Sequence, residues 1–256
     1  LMKRILSAAA VLALSASLLV GCSSGTASSV PVSASSAAES TVSSVEETAS
    51  SAVDENEAAA AQLLNDLTGS YQELWPVILA DEYKQTWLDD CTALVGEENA
   101  EAAFEKLSSM VTSDVYGEDA VEAYANGGGA YFCGFTNSLA TLTFDGETST
   151  ISGTDKDGNV LFSHTYHYIG MEPVHGLYEF ESDDADSGEF TYFFLAPDTS
   201  AETYHIEFRY GSDAEALSQY DAGEYAYWVA SGISTDCDQT MIDNCIELFC
   251  TENLAG

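Results

Sequence analysis

The sequence predicts a mainly β (α+β) domain: an antiparallel barrel preceded by helices and followed by one C-terminal helix. Three observations predict it. From Glu57 to Asn126 apolar residues recur at helical spacing. From Ala130 to Tyr210 the period drops to two, and β-branched and aromatic residues take over. Beyond Thr235 the helical period returns. All 14 Tyr, 11 Phe and 3 Trp lie after residue 70, so a substantial core belongs to that part of the chain.

The elements follow in order. Residues 1–21 read as an export signal: Lys3 and Arg4 give a charged start, and the run from Ile5 to Val20 is apolar but broken by three serines. That run falls short of the ~20 residues that a membrane-spanning helix needs. The "LVGC" at Leu19 to Cys22 resembles the lipobox of bacterial lipoproteins. The resemblance implies lipid attachment at Cys22 and a mature chain anchored to the cell membrane on its extracytoplasmic face, since two or three acyl chains suffice for stable anchoring. Residues 22–57 are rich in Ser and Ala and carry no aromatic residue, so they read as a tether that cannot bury a core. Residues 58–256 remain for one domain.

Within that domain "EAAAAQLLNDL" is built from strong helix formers. "EENAEAAFEKLSSMV" sets Ala100, Ala103, Phe104, Leu107 and Val111 three and four apart. "GEDAVEAYANGGG" reads as a short helix stopped by Gly127 to Gly129. Strands are expected near 131–136, 139–144, 147–153, 160–169, 176–182, 189–196, 203–210 and 225–229, with tight turns at the Asp-Gly pairs 145–146 and 157–158. Eight short strands joined by hairpins fit a closed antiparallel barrel. The tail places Met241, Ile242, Cys245 and Phe249 on one helical face, with a cap expected near Thr235 or Asp236.

Charge excludes partners. The chain carries 43 acidic residues against 6 Lys and Arg, a formal net charge of −37. Removal of the signal leaves Lys84, Lys106, Lys156 and Arg209 as its cations. Such a surface cannot neutralise phosphates, which excludes nucleic acid, and an anionic membrane surface is no partner beyond the anchor itself. Cations would concentrate near it. Five cysteines follow Cys22, an odd number with no C-x-x-C pair, so buried thiols with at most two bridges are expected. Nucleophile-elbow, phosphate-loop and dinucleotide motifs are lacking, and the chain is read as not an enzyme. The loops "TDKDGNV" and "ESDDADSGE" miss the ligand pattern of an EF-hand and read as hairpin loops.

Three segments resemble the ZinT (YodA-type) zinc-binding family. "DLTGSYQELWP" keeps the Asp66, Gly69, Gln72 and Pro76 of its opening motif, "HTYHYIG" at 164–170 is similar to its Y-x-Y-V-G strand, and "APDTSAETYHIEFRYGSDAEAL" is similar to its A-P-x-x-x-A-H-F-H-I segment. The likeness runs from Asp66 to Phe249. It implies a lipocalin-like (calycin) barrel and an extracytoplasmic protein that binds zinc and works with a metal-ion importer. The implied ligand set has changed here. Phe193 stands where the family has its first histidine, and the H-x-H pair becomes Thr203-x-His205. On a strand Thr203, His205, Glu207 and Arg209 share one face, so the expected metal ligands are His205 and Glu207, with zinc as the cofactor. The alternative is a calycin module whose zinc site is lost and whose aromatic-rich barrel, or surface, serves another ligand.

Overall fold

The computed structural model describes residues 55–196 and 205–255; the lipobox, the tether as far as residue 54 and the 197–204 segment with Thr203 lie outside them. Helix α1 (55–66) leads into strand β1 (Gly69–Glu73), and helices α2 (Leu74–Ile78), α3 (Lys84–Val95), α4 (Glu97–Ser109) and α5 (Glu118–Ala125) follow. Strands β2 (Thr141–Asp145), β3 (Thr150–Thr154), β4 (Val160–Met171), β5 (Tyr178–Ser182), β6 (Tyr192–Leu195) and β7 (His205–Gly211) come next. A short helix α6 (Ala214–Leu217), strand β8 (Ala230–Ser234) and helix α7 (Gln239–Leu254) complete the described chain. The eight strands close antiparallel in sequence order, with β8 returning to β1. The barrel expected from the two-residue period is therefore present.

The alternation shows which side chains build it. Leu142 and Phe144 of β2, Phe162 and Tyr166 of β4, Phe180 of β5, Phe193 of β6 and Phe208 and Tyr210 of β7 all join the inner core. Each is at most 5 % exposed. Their rings stack: Phe193 lies 5.4 Å from Tyr210 and Phe162 4.0 Å from Phe190. These side chains pack closely in the interior between the strands.

A second core lies outside the barrel wall. There α2, α3, α4 and α7 pack Trp75, Ile78, Trp87, Cys91, Leu107, Ile246 and Cys250 against Ile233 of β8. Trp87 Nε1 donates to the Ile78 carbonyl at 2.7 Å, and Trp75 meets Phe249 edge to face at 4.7 Å. The cap of α7 is Asp238, whose carboxylate accepts from Met241 N at 3.0 Å, two residues beyond the expected position.

Strand membership differs from expectation at three places. Gly69–Glu73, read as part of the helical region, is β1: Tyr71 turns into the core while its backbone pairs with both β2 and β8. Tertiary pairing overrides a short stretch that has no strong local period. The 131–136 segment, broken by Gly134, makes single bridges from Phe132 to Thr112 and Trp228 instead of a strand. The last strand is Ala230–Ser234 in place of 225–229, because Tyr227 takes a positive φ of 56° and ends any extended run there.

Candidate functional site

Strand β7 carries the residues singled out by sequence. Ile206, Phe208 and Tyr210 point into the barrel, so His205, Glu207 and Arg209 face outward. His205 pairs with Ile233 and Glu207 with Ser231 across β8. Both are half-buried, because the 132–134 segment runs beside β8, with Ser231 N donating to the Cys133 carbonyl at 3.0 Å. Burial, reinforced by the Glu207 charge, pushes the Cys133 and Cys245 thiols up to about 12 each. Both stay protonated at neutral pH.

Zinc held by protein alone needs three or four donors at one point. Among the described residues no group of three or more His, Cys, Asp or Glu could hold a metal ion. The position of the family's first histidine is Phe193, fully buried between Phe180 and Tyr210 of the neighbouring strands. The described residues alone do not assemble the three-histidine zinc site that the resemblance implies.

The other histidines are spread apart and each has a carboxylate of its own. His164 Nδ1 lies 2.8 Å from Asp184, His167 Nδ1 2.8 Å from Asp183, and His175 Nδ1 3.5 Å from Glu172. In the acidic loop after β3, Asp155 accepts from Asp157 N, Asn159 N and Asn159 Nδ2. Those bonds hold its carboxyl below the ordinary value. It braces a turn, as its loop composition predicts.

Two features went unmarked in the sequence. The first is an outer groove of about 300 Å³ between α2 and the 111–113 and 132–134 segments. Trp75, Pro76, Leu79, Val111 and Phe132 give it apolar walls, and Glu73 is its one charged lining residue. Glu73 Oε1 accepts from Phe135 N at 2.6 Å, which fixes the carboxylate at the groove. Trp75 Nε1 turns toward the Cys133 thiol and has no other hydrogen-bond partner among the described residues. The Trp75-Pro76 pair within an apolar turn is the only trace that sequence offers.

The second is the buried Arg209, whose guanidinium donates to the carbonyls of Leu217, Gln219 and Tyr225. Its pairing lets the 212–229 segment close over the outer wall. Glu172, also fully buried, accepts from Val174 N at 2.9 Å and His175 N at 2.6 Å. The His175 and Tyr220 rings meet at 3.7 Å. Burial lowers the Arg209 pKa, partly offset by Tyr220. A lone arginine on an otherwise alternating strand was the signal.

No family model matches the chain, and no curated protein does. Among solved structures the chain is similar to the Zn(II)-bound ZinT-like domain of Streptococcus pneumoniae AdcA, at 16 % identity and a TM-score of 0.45, covering 72 % of this chain and 89 % of that one. It is also similar to Zn(II)-bound AdcA from the same organism, at 14 % identity and a TM-score of 0.43, covering 73 % of this chain and 35 % of that one. Among the described residues no helix is long and apolar enough to cross a membrane.

Proposed function

We propose that the chain is an extracytoplasmic binding module, tethered to the membrane through Cys22, whose outer groove takes a small organic cation in place of zinc. The groove carries this reading: about 300 Å³ of mostly apolar space with one fixed carboxylate, Glu73, at its wall. Pockets of this size and make-up, with few placed polar groups, are where small ligands bind. A carboxylate beside the Trp75 and Phe132 rings suits an ammonium on a compact apolar body, since ring faces attract cations as well. The net charge of −37 adds a field that raises the local concentration of such ligands.

Phenethylamine and its neutral counterpart phenethyl alcohol test the reading. Binding followed by tryptophan fluorescence should favour the amine, and Glu73→Gln should remove that preference while keeping the acceptor for Phe135 N. Equal affinity for the two compounds, or no effect of Leu79→Trp at the groove wall, would overturn it. Lipid attachment is checked separately by labelling cells with a radioactive fatty acid, which Cys22→Ser should abolish.

A divalent metal at His205 and Glu207 is the second reading, favoured by their shared outward face on β7. A metal-ion importer as partner goes with that reading alone.

A further inference from the structure

We propose that Cys91 and Cys250 are a cross-linking site: in the presence of a small oxidised disulfide they join as a disulfide that fastens α3 to α7. Their sulfurs stand 3.9 Å apart, and both residues are fully buried in the outer helical core. They come from helices at opposite ends of the described chain that pack directly against each other. A disulfide needs about 2.05 Å between sulfurs, and rotation about each Cα–Cβ bond swings a sulfur through more than the remaining ~1.9 Å. No other pair among the described cysteines makes a thiol–thiol contact that short. Joining this pair leaves Cys133, Cys237 and Cys245, an odd number of which at least one stays a thiol.

Burial sets when the bond forms. It pushes both thiols above the ordinary value, first by desolvation and then, for Cys250, by the neighbouring Cys91. A folded chain therefore offers little thiolate for exchange. The reaction belongs to folding, before α7 seats on α3. One cysteine thiolate attacks oxidised glutathione, forming a mixed disulfide and expelling one glutathione thiolate. The second cysteine thiolate then attacks the protein sulfur of that mixed disulfide, forms the Cys91–Cys250 bond and expels the second glutathione. The two cysteines are oxidised, the glutathione disulfide is reduced, and the two cysteine protons pass to the released glutathione thiolates. The closed loop contains strands β2 to β8, so the product fastens the outer helical layer across most of the barrel's chain length.

The test refolds the full chain, in a Cys22→Ser background, with and without oxidised glutathione, blocks remaining thiols, and maps the peptides by mass spectrometry. The expected product joins the Cys91 peptide to the Cys250 peptide, two hydrogens lighter than the reduced pair, and melts at a higher temperature than the reduced chain. Cys91→Ser and Cys250→Ala should each abolish both the link and the added thermal stability, whereas Cys237→Ser should keep them. Recovery of Cys91 and Cys250 as blocked free thiols, or of either joined to another cysteine, would overturn the proposal. The readout uses no ligand, so it stands or falls apart from the groove.

Discussion

The guanidinium carbon of Arg209 stands 4.2 Å from the centre of the Tyr220 ring, and this contact pins the 212–229 segment to the outside of the barrel. The same guanidinium serves three backbone carbonyls, at Leu217, Gln219 and Tyr225. A buried arginine is tolerated where its donors find acceptors, and its removal strands those acceptors.

Arg209→Met should therefore cost about 3–5 kcal/mol of folding stability, at the upper end for single substitutions. Tyr220→Phe keeps the ring over Arg209 and removes only the hydroxyl, so it should stay within about 0.5 kcal/mol. Urea unfolding midpoints of the two variants separate the outcomes; equal losses would show that the Tyr220 hydroxyl, the group that Phe removes while keeping the ring, holds the segment as firmly as the Arg209 side chain does.

Asp90 gives a pH prediction. Burial, followed by the charges of Glu247, Asp243 and Asp89, raises its carboxyl above the ordinary 3.8, and its Oδ2 lacks a hydrogen-bond partner among the described residues. A carboxyl raised in the folded state binds more protons there than in the unfolded chain. Stability from this group therefore falls as pH rises through the folded value and recovers as pH drops below it. Asp90→Asn should melt higher than the parent at pH 7, and the gap should close on acidification towards the ordinary carboxylate range. A lower melting temperature for the variant at pH 7 would contradict this.

Gly146 gives a steric prediction. A Cβ there would lie 2.4 Å from the Asn65 backbone, at the end of α1, where Gly146 N donates to Thr68 Oγ1 at 3.0 Å. Neither partner is a flexible tip that can move aside. Gly146→Ala should destabilise by about 1–3 kcal/mol, read from the same unfolding curves.

Much of this architecture was legible in the sequence. The switch in period marked where helices give way to strands, and the inward set Ile206, Phe208 and Tyr210 follows directly from alternation. What was not legible depends on distant pairing. Gly69–Glu73 becomes a strand because β2 and β8 flank it, and no local pattern announces that. The site was less legible still. Sequence places His205 and Glu207 on one face, yet whether other donors join them depends on which strands lie alongside, and Phe193 lies across the wall from them. The groove is made by three segments far apart in the chain, so composition carries no trace of its shape.

The central claim, a closed eight-strand barrel that does not rely on a histidine zinc site, is tested most directly by zinc titration of the full chain against a competing chelator, with His205→Ala alongside. The account predicts weak, multisite, salt-sensitive binding by the acidic surface, unchanged in the variant. A single site of near-micromolar or tighter affinity, lost in His205→Ala, would contradict it and return the function to metal binding.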